Sequence, residues 1–304
     1  MRGKQRIGAS LAVAMMLAAP DAAAHHEALF GPQSSLAVES PAFASLQMHV
    51  RATGSGASYA TENTYIASAG FSPVHGVPWG VTLVQPFTYE VARTPAGDQV
   101  GPSSSCAGCF HRENLLVGTQ YRFDFTSLQR ELGKDGNFAL LSASLEPPTG
   151  NKDYAAFHGP VNGIVAAMAG LEWQSLSAVL LGYYRINAQD GAGAKKGNNA
   201  LVGIGFAYTP LDAEDRMVSF QLGIADEVHE RDREGSSAVD ASGGWEVLVS
   251  PTLVWSPAAR LRMFALASLP VTQSYRSSAQ EDRWRAGLGM IYAFADGEAS
   301  EHGH

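Results

Sequence analysis

Apolar and polar residues alternate with a period of two along most of this 304-residue chain, and this alternation restricts the fold more than any other feature. It recurs in segments of about ten residues, separated by clusters of Gly, Pro, Asn and Asp. In the segment 114–125, Val117 and Tyr121 share one face, whereas Gln120 and Arg122 share the other. Successive side chains of a β-strand point to opposite faces, so the alternation predicts an all-β protein.

Twelve such segments occur in the chain: 44–51, 64–71, 79–91, 114–125, 138–146, 163–173, 178–186, 200–208, 217–227, 244–255, 261–271 and 284–294. The polar links after odd-numbered segments, such as 92–113 and 147–162, are mostly longer than those after even-numbered ones, such as 174–177 and 257–260. Long loops on one side and short turns on the other are typical of transmembrane β-barrels. We therefore predict a closed antiparallel transmembrane β-barrel of about 12 strands, with long extracellular loops and shorter periplasmic turns.

The alternation alone does not decide whether the apolar faces point to lipid or into the core of a soluble barrel. Three features favour lipid. The polar faces carry small residues and charges of both signs, and the last segment ends in the aromatic-rich run 291–294. Aromatic residues also lie at segment ends, as at membrane interfaces: Trp79, Tyr121, Trp173, Trp245, Trp255, Trp284 and Phe294. A soluble exported β-barrel or sandwich that binds an apolar ligand is the alternative.

The amino terminus predicts export. A basic head is followed by the short apolar run 7–19 and by small residues at 22–24. These features predict a signal peptide over residues 1–24, because the apolar run is too short for a membrane anchor. The expected mature organisation is a periplasmic segment at 25–42, an outer-membrane barrel at 43–294 and a disordered, His-containing tail at 295–304.

Charge and motif content exclude several functions. Charged residues are only 16% of the chain and the formal net charge is −8, which disfavours both a disordered chain and nucleic-acid binding. The sequence contains no G-x-S-x-G, H-E-x-x-H or G-x-x-x-x-G-K-[ST] motif. We therefore predict neither an enzyme nor a cofactor.

Polar faces that point inward would line a lumen. Mixed charges there either make a selective aqueous path or pair across the lumen and plug it. The predicted lumen-lining residues are His49, Arg51, Gln120, Arg122, Asp124, Glu146, Glu172, Gln221, Glu227, Glu246, Arg262 and Arg285. The direction of Arg185 stays open, because the segment 178–186 is apolar on both faces.

Two cysteines lie in the longest link. Cys106 and Cys109 are followed by Phe110 and His111, so the C-x-x-C-H motif of covalent haem is absent. The two thiolates and His111 would supply only three metal ligands. A small disulfide between Cys106 and Cys109 that stiffens the loop is the favoured interpretation.

Histidines cluster at the two mature ends, at His25, His26, His302 and His304. Imidazoles so placed bind Cu²⁺ or Zn²⁺. A membrane-anchored, metal-binding accessory protein is therefore a second functional hypothesis, beside the simpler one of soluble tails without an ion. His75, His158 and His229 are expected in solvated turns or loops.

Several segments resemble a known family. Residues 118–123 (GTQYRF), 144–151 (SLEPPTGN), 250–257 and 285–294 are similar to motifs of outer-membrane transporters typified by the phenol-degradation meta-pathway protein. Pro147 stands where that family has Leu. The resemblance implies a β-barrel that transports small, often hydrophobic, organic molecules and has no catalytic residues. The expected partners are the lipid bilayer, the barrel-assembly machinery and a small solute.

Overall fold

The computed structural model describes residues 42–54, 59–74, 77–93, 110–125, 136–150, 161–173, 175–190, 193–212, 216–277 and 280–294. Twelve long strands form the fold: β1 Ala42–Thr53, β2 Tyr59–Phe71, β3 Trp79–Arg93, β4 Leu116–Asp124, β5 Gly136–Glu146, β6 Asn162–Trp173, β7 Leu176–Ile186, β8 Asn199–Asp212, β9 Met217–His229, β10 Gly244–Ala258, β11 Leu261–Tyr275 and β12 Asp282–Phe294. No helix in this part of the chain is long and apolar enough to cross a membrane.

Each long strand pairs antiparallel with its neighbours in sequence, and β1 pairs with β12 to close the ring. The closing register runs from Ala42 opposite Phe294 to Ala52 opposite Trp284. Closure leaves no sheet edge with unpaired backbone groups, which a bilayer requires. The prediction of an all-β, closed antiparallel barrel of 12 strands is confirmed, and each predicted segment overlaps one strand.

The two ends of the barrel differ in their connections. The long links 94–115, 147–161, 187–198 and 230–243 lie at the end that we call the loop end. The opposite, terminal end carries the chain ends of the barrel, the two-residue links 174–175 and 259–260, and the links 72–78, 125–135 and 213–216. At the loop end, the short strands Ala194–Lys195, Arg233–Glu234 and Ser237–Ala238 form a small three-stranded sheet.

The outer face of the barrel is apolar. Leu46 and Leu222 are exposed, whereas their neighbours Gln47 and Gln221 are buried, and Val117 is exposed as well. Exposed aromatic residues lie near both ends: Trp245 and Trp284 near the loop end, and Trp79, Tyr121, Trp255 and Phe294 near the terminal end. An apolar band of this extent between two aromatic girdles is typical of a surface that faces lipid.

The inner face is more apolar than the sequence pattern suggests. Aliphatic side chains from β2 to β10 form one buried cluster inside the barrel, which we call the aliphatic cluster. Its larger members are Ile66, Val84, Leu116, Leu140, Ile164, Met168, Val179, Leu181, Leu201 and Leu248. The expectation of a polar lumen is therefore incomplete, because several strands carry apolar residues on both faces.

Three inward-pointing phenylalanine rings lie over glycines of the neighbouring strand near the terminal end. Each pair is directly opposite in register, and a Cβ atom on the glycine would overlap the ring. Covering a strand glycine with an aromatic ring restores the packing that the missing side chain removes. The pairs are Phe43 with Gly70, Phe138 with Gly170, and Phe264 with Gly289.

Candidate functional site

Charged side chains gather on the inner face near the loop end, in two clusters on separate arcs of the wall. The Arg285 cluster consists of Arg51, Glu227, His229, Glu246, Asp282 and Arg285. The Arg185 cluster consists of Asn114, Glu146, Asn162, Arg185 and Asn187.

Arg285 connects three carboxylates. Its side chain is buried, and its guanidinium contacts both Asp282 on the same strand and Glu246 on β10. It also reaches β9, where Nη1 lies 3.4 Å from Glu227 Oε2. Because β10 and β11 lie between β9 and β12 in the sheet, the side chain of Arg285 links residues on β9, β10 and β12.

The strand register explains why these charges form a network. Glu227 lies directly opposite Glu246, and Arg51 lies directly opposite Arg285. Like charges directly opposite each other destabilise a sheet. Here groups of opposite charge reduce the repulsion within each pair. Arg285 contacts both glutamates, and Arg51 Nη2 lies 2.7 Å from Asp282 Oδ1.

Two phenols and one imidazole complete the Arg285 cluster. Tyr275 donates its hydroxyl to Glu246 Oε1 at 2.9 Å, and Tyr183 donates to Glu227 Oε1 at 3.5 Å. His229 Nε2 lies 3.2 Å from the same Glu227 oxygen. The expectation that His229 lies in a solvated loop is wrong, because it is the last residue of β9 and its side chain is only 15% exposed.

Glu227, His229 and Glu246 also resemble a metal-binding group. One donor atom from each residue lies within 4.8 Å of the others. Residues 227 and 229 share the inward face of β9, and Glu246 is the cross-strand neighbour of Glu227. The cation that the two glutamates contact in this structure is the guanidinium of Arg285, whose planar fork matches carboxylate geometry.

The Arg185 cluster is built around one ion pair. Arg185 Nη2 lies 2.5 Å from Glu146 Oε2, and both side chains are buried. The carboxylate also accepts from Asn114 Nδ2 at 3.2 Å and from Asn162 Nδ2 at 3.3 Å. Arg185 Nε donates to Asn187 Oδ1 at 2.7 Å. One acid is thus matched by one base, and neutral amides supply further hydrogen bonds.

A bulge carries Asn114 into this cluster. Residues 113–115 separate the short strand Phe110–Arg112 from β4, and both strands pair with β3. Pro86 of β3 faces the bulge and has no N–H to donate, while its carbonyl accepts from Glu113 N at 3.1 Å. Gln85 Nε2 donates to Glu113 O at 2.9 Å in place of the missing proline N–H.

The turn that contains the Pro-Thr-Gly motif holds the bulge in place. Leu115 N donates to Thr149 Oγ1 at 2.7 Å, and Arg112 Nη2 donates to Thr149 O at 2.7 Å. Gly150 N donates to Asn114 Oδ1 at 2.8 Å. A Cβ atom at position 150 would lie 3.2 Å from the Arg112 carbonyl oxygen. The Pro-Thr-Gly motif therefore requires a hydroxyl group on residue 149 and the absence of a side chain on residue 150.

The predicted lumen residues are placed as follows. Eight are buried inside the barrel: His49, Gln120, Arg122, Glu146, Gln221, Glu227, Glu246 and Arg285. Arg51 is 15% exposed, Arg262 is half-buried and Asp124 is 49% exposed at the terminal end. Glu172 lies in β6, opposite Gly136 and Ser177 in register.

Away from the two clusters, the inward polar groups make local contacts. His49 Nε2 lies 3.1 Å from Gln47 Oε1. Arg122 Nε donates to Asp124 Oδ1 at 2.8 Å, and its guanidinium lies 4.6 Å from the centre of the Phe138 ring. The side chain of Glu172, together with Cys106, Cys109, His25, His26, His302 and His304, lies outside the described residues.

Sequence reasoning missed several members of the two clusters. Asp282, Tyr275 and Asn187 lie at strand ends or beyond them, where alternation no longer marks a face. One signal was available for His229. It stands two residues after Glu227, and that spacing places both side chains on the same face of an extended strand.

No protein-family model and no curated protein matches this sequence. Solved structures do match the fold. The COG4313 outer membrane channel from Pseudomonas putida F1 is 11% identical with a TM-score of 0.64, covering 84% of this chain and 96% of that chain. The β domain of the Bordetella autotransporter BrkA is 12% identical with a TM-score of 0.50, covering 84% of this chain and 100% of that chain.

These similarities define the class of fold. The chain has the closed 12-stranded architecture of outer-membrane β-barrel proteins. The NanC porin is a further neighbour, 10% identical with a TM-score of 0.45, covering 82% of this chain and 100% of that chain.

Proposed function

We propose that this chain is an outer-membrane channel through which a small, mainly apolar organic solute passes passively. The aliphatic cluster on the inner face carries the proposal. A lumen lined only by polar groups favours ions and sugars, whereas inward aliphatic surface favours solutes that bury apolar area. Sites for small molecules combine such an apolar lining with a few polar groups, here the two clusters at the loop end.

The outer surface supports the proposed location. Its exposed apolar side chains and two aromatic girdles fit a bilayer, and the long links fit the extracellular side. In this orientation the loop end with its charged clusters faces the medium, and the terminal end faces the periplasm. The similarity of fold to a protein described as an outer membrane channel is consistent with this proposal.

Planar-bilayer recording tests the proposed function. The purified barrel is inserted into a bilayer, and small solutes of matched size but decreasing polarity are added while the ionic current is recorded. We expect discrete conductance steps, and we expect aromatic or aliphatic solutes to interrupt the current for longer than sugars of the same size. A silent bilayer, or equal interruptions by sugars and apolar solutes, would contradict the proposal.

Neighbouring leucines on β5 provide a matched pair of variants. Leu140 is buried in the aliphatic cluster, whereas Leu141 points outward and is 51% exposed. Leu140→Ala should shorten the interruptions by apolar solutes about three- to tenfold, because it removes apolar volume from the cluster that the proposed path borders. Leu141→Ala should leave them unchanged. Equal effects of the two substitutions would place the solute path elsewhere.

A further inference from the structure

One side of the inner wall carries a continuous line of polar side chains along the middle of the barrel. On β1, His49 Nε2 lies 3.1 Å from Gln47 Oε1, and Gln47 Nε2 donates to Ser45 Oγ at 3.4 Å. Ser45 Oγ in turn lies 2.5 Å from the Oγ atom of Ser68, its cross-strand neighbour on β2. We call these four residues the polar track.

Glycines of β12 leave room for the polar track. His49 lies directly opposite Gly287 in register, and a Cβ atom there would lie 2.8 Å from His49 Nδ1. Gln47 lies directly opposite Gly289, where a Cβ atom would lie 3.1 Å from Gln47 Cγ. The two polar side chains therefore lie over β12, in space that larger residues would fill.

The opposite side of the ring is apolar. In a closed ring of 12 strands, β7 lies six strands from β1 in either direction. The polar positions on the inner face of β6, β7 and β8 lie toward the strand ends, at 162, 185 and 199 near the loop end and at 172, 177 and 209 near the terminal end.

Between those positions, the inner face of β6, β7 and β8 forms what we call the β6–β8 wall. Its inward residues are aliphatic or glycine, apart from Tyr183, whose hydroxyl donates to Glu227. The aliphatic and glycine members are Ile164, Ala166, Met168, Gly170, Val179, Leu181, Leu201, Gly203, Gly205 and Ala207. On the side of the polar track, Ile66 is the aliphatic side chain between Thr64 and Ser68 on the inner face of β2. The passage thus has one polar and one apolar side.

Burial makes this difference matter for a solute. The polar track and the β6–β8 wall are both buried, so a solute hydroxyl between them leaves water and needs a hydrogen-bond partner on the protein. A hydroxyl group has one donor hydrogen and two acceptor lone pairs. Ser45 and Ser68 can therefore bond a solute while they bond each other. In sites for small molecules, a few such polar groups orient the ligand against an apolar lining.

We propose that the middle of the barrel selects a neutral amphipathic solute, which carries one hydrogen-bonding group on an apolar body. The hydrogen-bonding group contacts the polar track, and the apolar body contacts the β6–β8 wall. This inference rests on the proposed channel function and narrows its solute class to molecules such as simple alcohols and amides. Hydrocarbons lack the first contact, whereas sugars bury hydroxyl groups against the apolar wall.

Three six-membered rings of similar size test the inference: cyclohexanol, methylcyclohexane and inositol. Each is added at the same concentration, below the solubility of methylcyclohexane, while the current through a single wild-type barrel is recorded. We expect interruptions by cyclohexanol to last about fivefold longer than those by methylcyclohexane, the effect of one net hydrogen bond, and longer still than those by inositol.

The outcomes separate this inference from the channel function. Interruptions by methylcyclohexane that last as long as those by cyclohexanol would overturn the role of the polar track and leave the proposed channel intact. Interruptions by inositol that last as long as those by cyclohexanol would overturn the role of the apolar wall. A silent bilayer would instead reject the channel function itself.

Paired serine variants assign the preference to the polar track. Ser45→Ala/Ser68→Ala removes two hydroxyls, and the ratio of cyclohexanol to methylcyclohexane interruption times should fall from about five toward one. Ser250→Ala/Ser268→Ala is the matched control, because it removes another buried serine pair, with Oγ atoms 2.6 Å apart, from β10 and β11. The control should keep the wild-type ratio. Equal ratios in the two double variants would refute the assignment.

A second set of variants covers the case in which a double variant does not fold. Heat-modifiable gel migration verifies the folded state of each barrel. Ser68→Ala removes one hydroxyl of the polar track, and Gly287→Ala places a Cβ atom 2.8 Å from His49 Nδ1, so the imidazole must shift. Both should lower the ratio, whereas Gly163→Ala, whose Cβ atom meets no atom within 4 Å, should not. An unchanged ratio in Ser68→Ala and Gly287→Ala would refute the role of the polar track.

Discussion

The two charged clusters at the loop end differ in how they are built. In the Arg185 cluster, one arginine pairs with one glutamate, and asparagine amides donate further hydrogen bonds to the carboxylate. A turn next to β5 holds this cluster in place. The Arg285 cluster joins strands at both ends of the chain, contains three carboxylates in contact with two guanidiniums and accepts hydrogen bonds from tyrosines. Burying a charge is costly unless it is paired. The Arg185 cluster therefore matches its charges within one ion pair, whereas the Arg285 cluster distributes them over several strands.

Arg285→Met should produce the largest loss of stability. It removes the guanidinium that contacts all three buried carboxylates, so we expect a loss of about 5 kcal/mol, the upper end for breaking a buried ion pair. Urea unfolding in lipid vesicles, followed by tryptophan fluorescence, measures it. Adding Glu227→Gln should recover part of the loss. Equal stability of Arg285→Met and the wild type would mean that the network is not needed for folding.

Arg185→Met should cost less, about 3 kcal/mol in the same measurement. Asn114 and Asn162 still donate to the Glu146 carboxylate after the guanidinium is lost, so that charge keeps part of its stabilisation. The double variant Glu146→Gln/Arg185→Met should be more stable than Arg185→Met alone. If Arg185→Met were as damaging as Arg285→Met, the distinction between the two clusters would fail.

Gly150→Ala should have the smallest effect, a loss of about 1–2 kcal/mol from overpacking against the bulge. The added Cβ atom would lie 3.0 Å from Asn114 Oδ1 and 3.2 Å from the Arg112 carbonyl oxygen. Gly163→Ala is the matched control, because a Cβ atom there meets no atom within 4 Å. Similar unfolding midpoints for the two alanine variants would show that the turn tolerates a side chain.

The outer surface could be predicted because lipid imposes a simple rule on every strand. Residues such as Leu46 and Tyr121 alternate with polar neighbours, which places them on one face of the strand, and aromatic residues at segment ends indicate that this face points to lipid. The inner surface follows no such rule. Leu140 and Leu181 point inward from strands that are apolar on both faces, so periodicity alone does not separate them from lipid-facing residues.

By itself, the sequence determined the strand number and the closed antiparallel architecture, because these depend on local alternation and on link length. The aromatic residues at segment ends indicated that the apolar faces point outward. Only the tertiary structure decided which charges meet. Arg51 and Asp282 are far apart in the chain and become neighbours when β1 pairs with β12, and Glu227 reaches Arg285 across intervening strands. Such contacts depend on register and on ring closure, and no short stretch of sequence encodes either one.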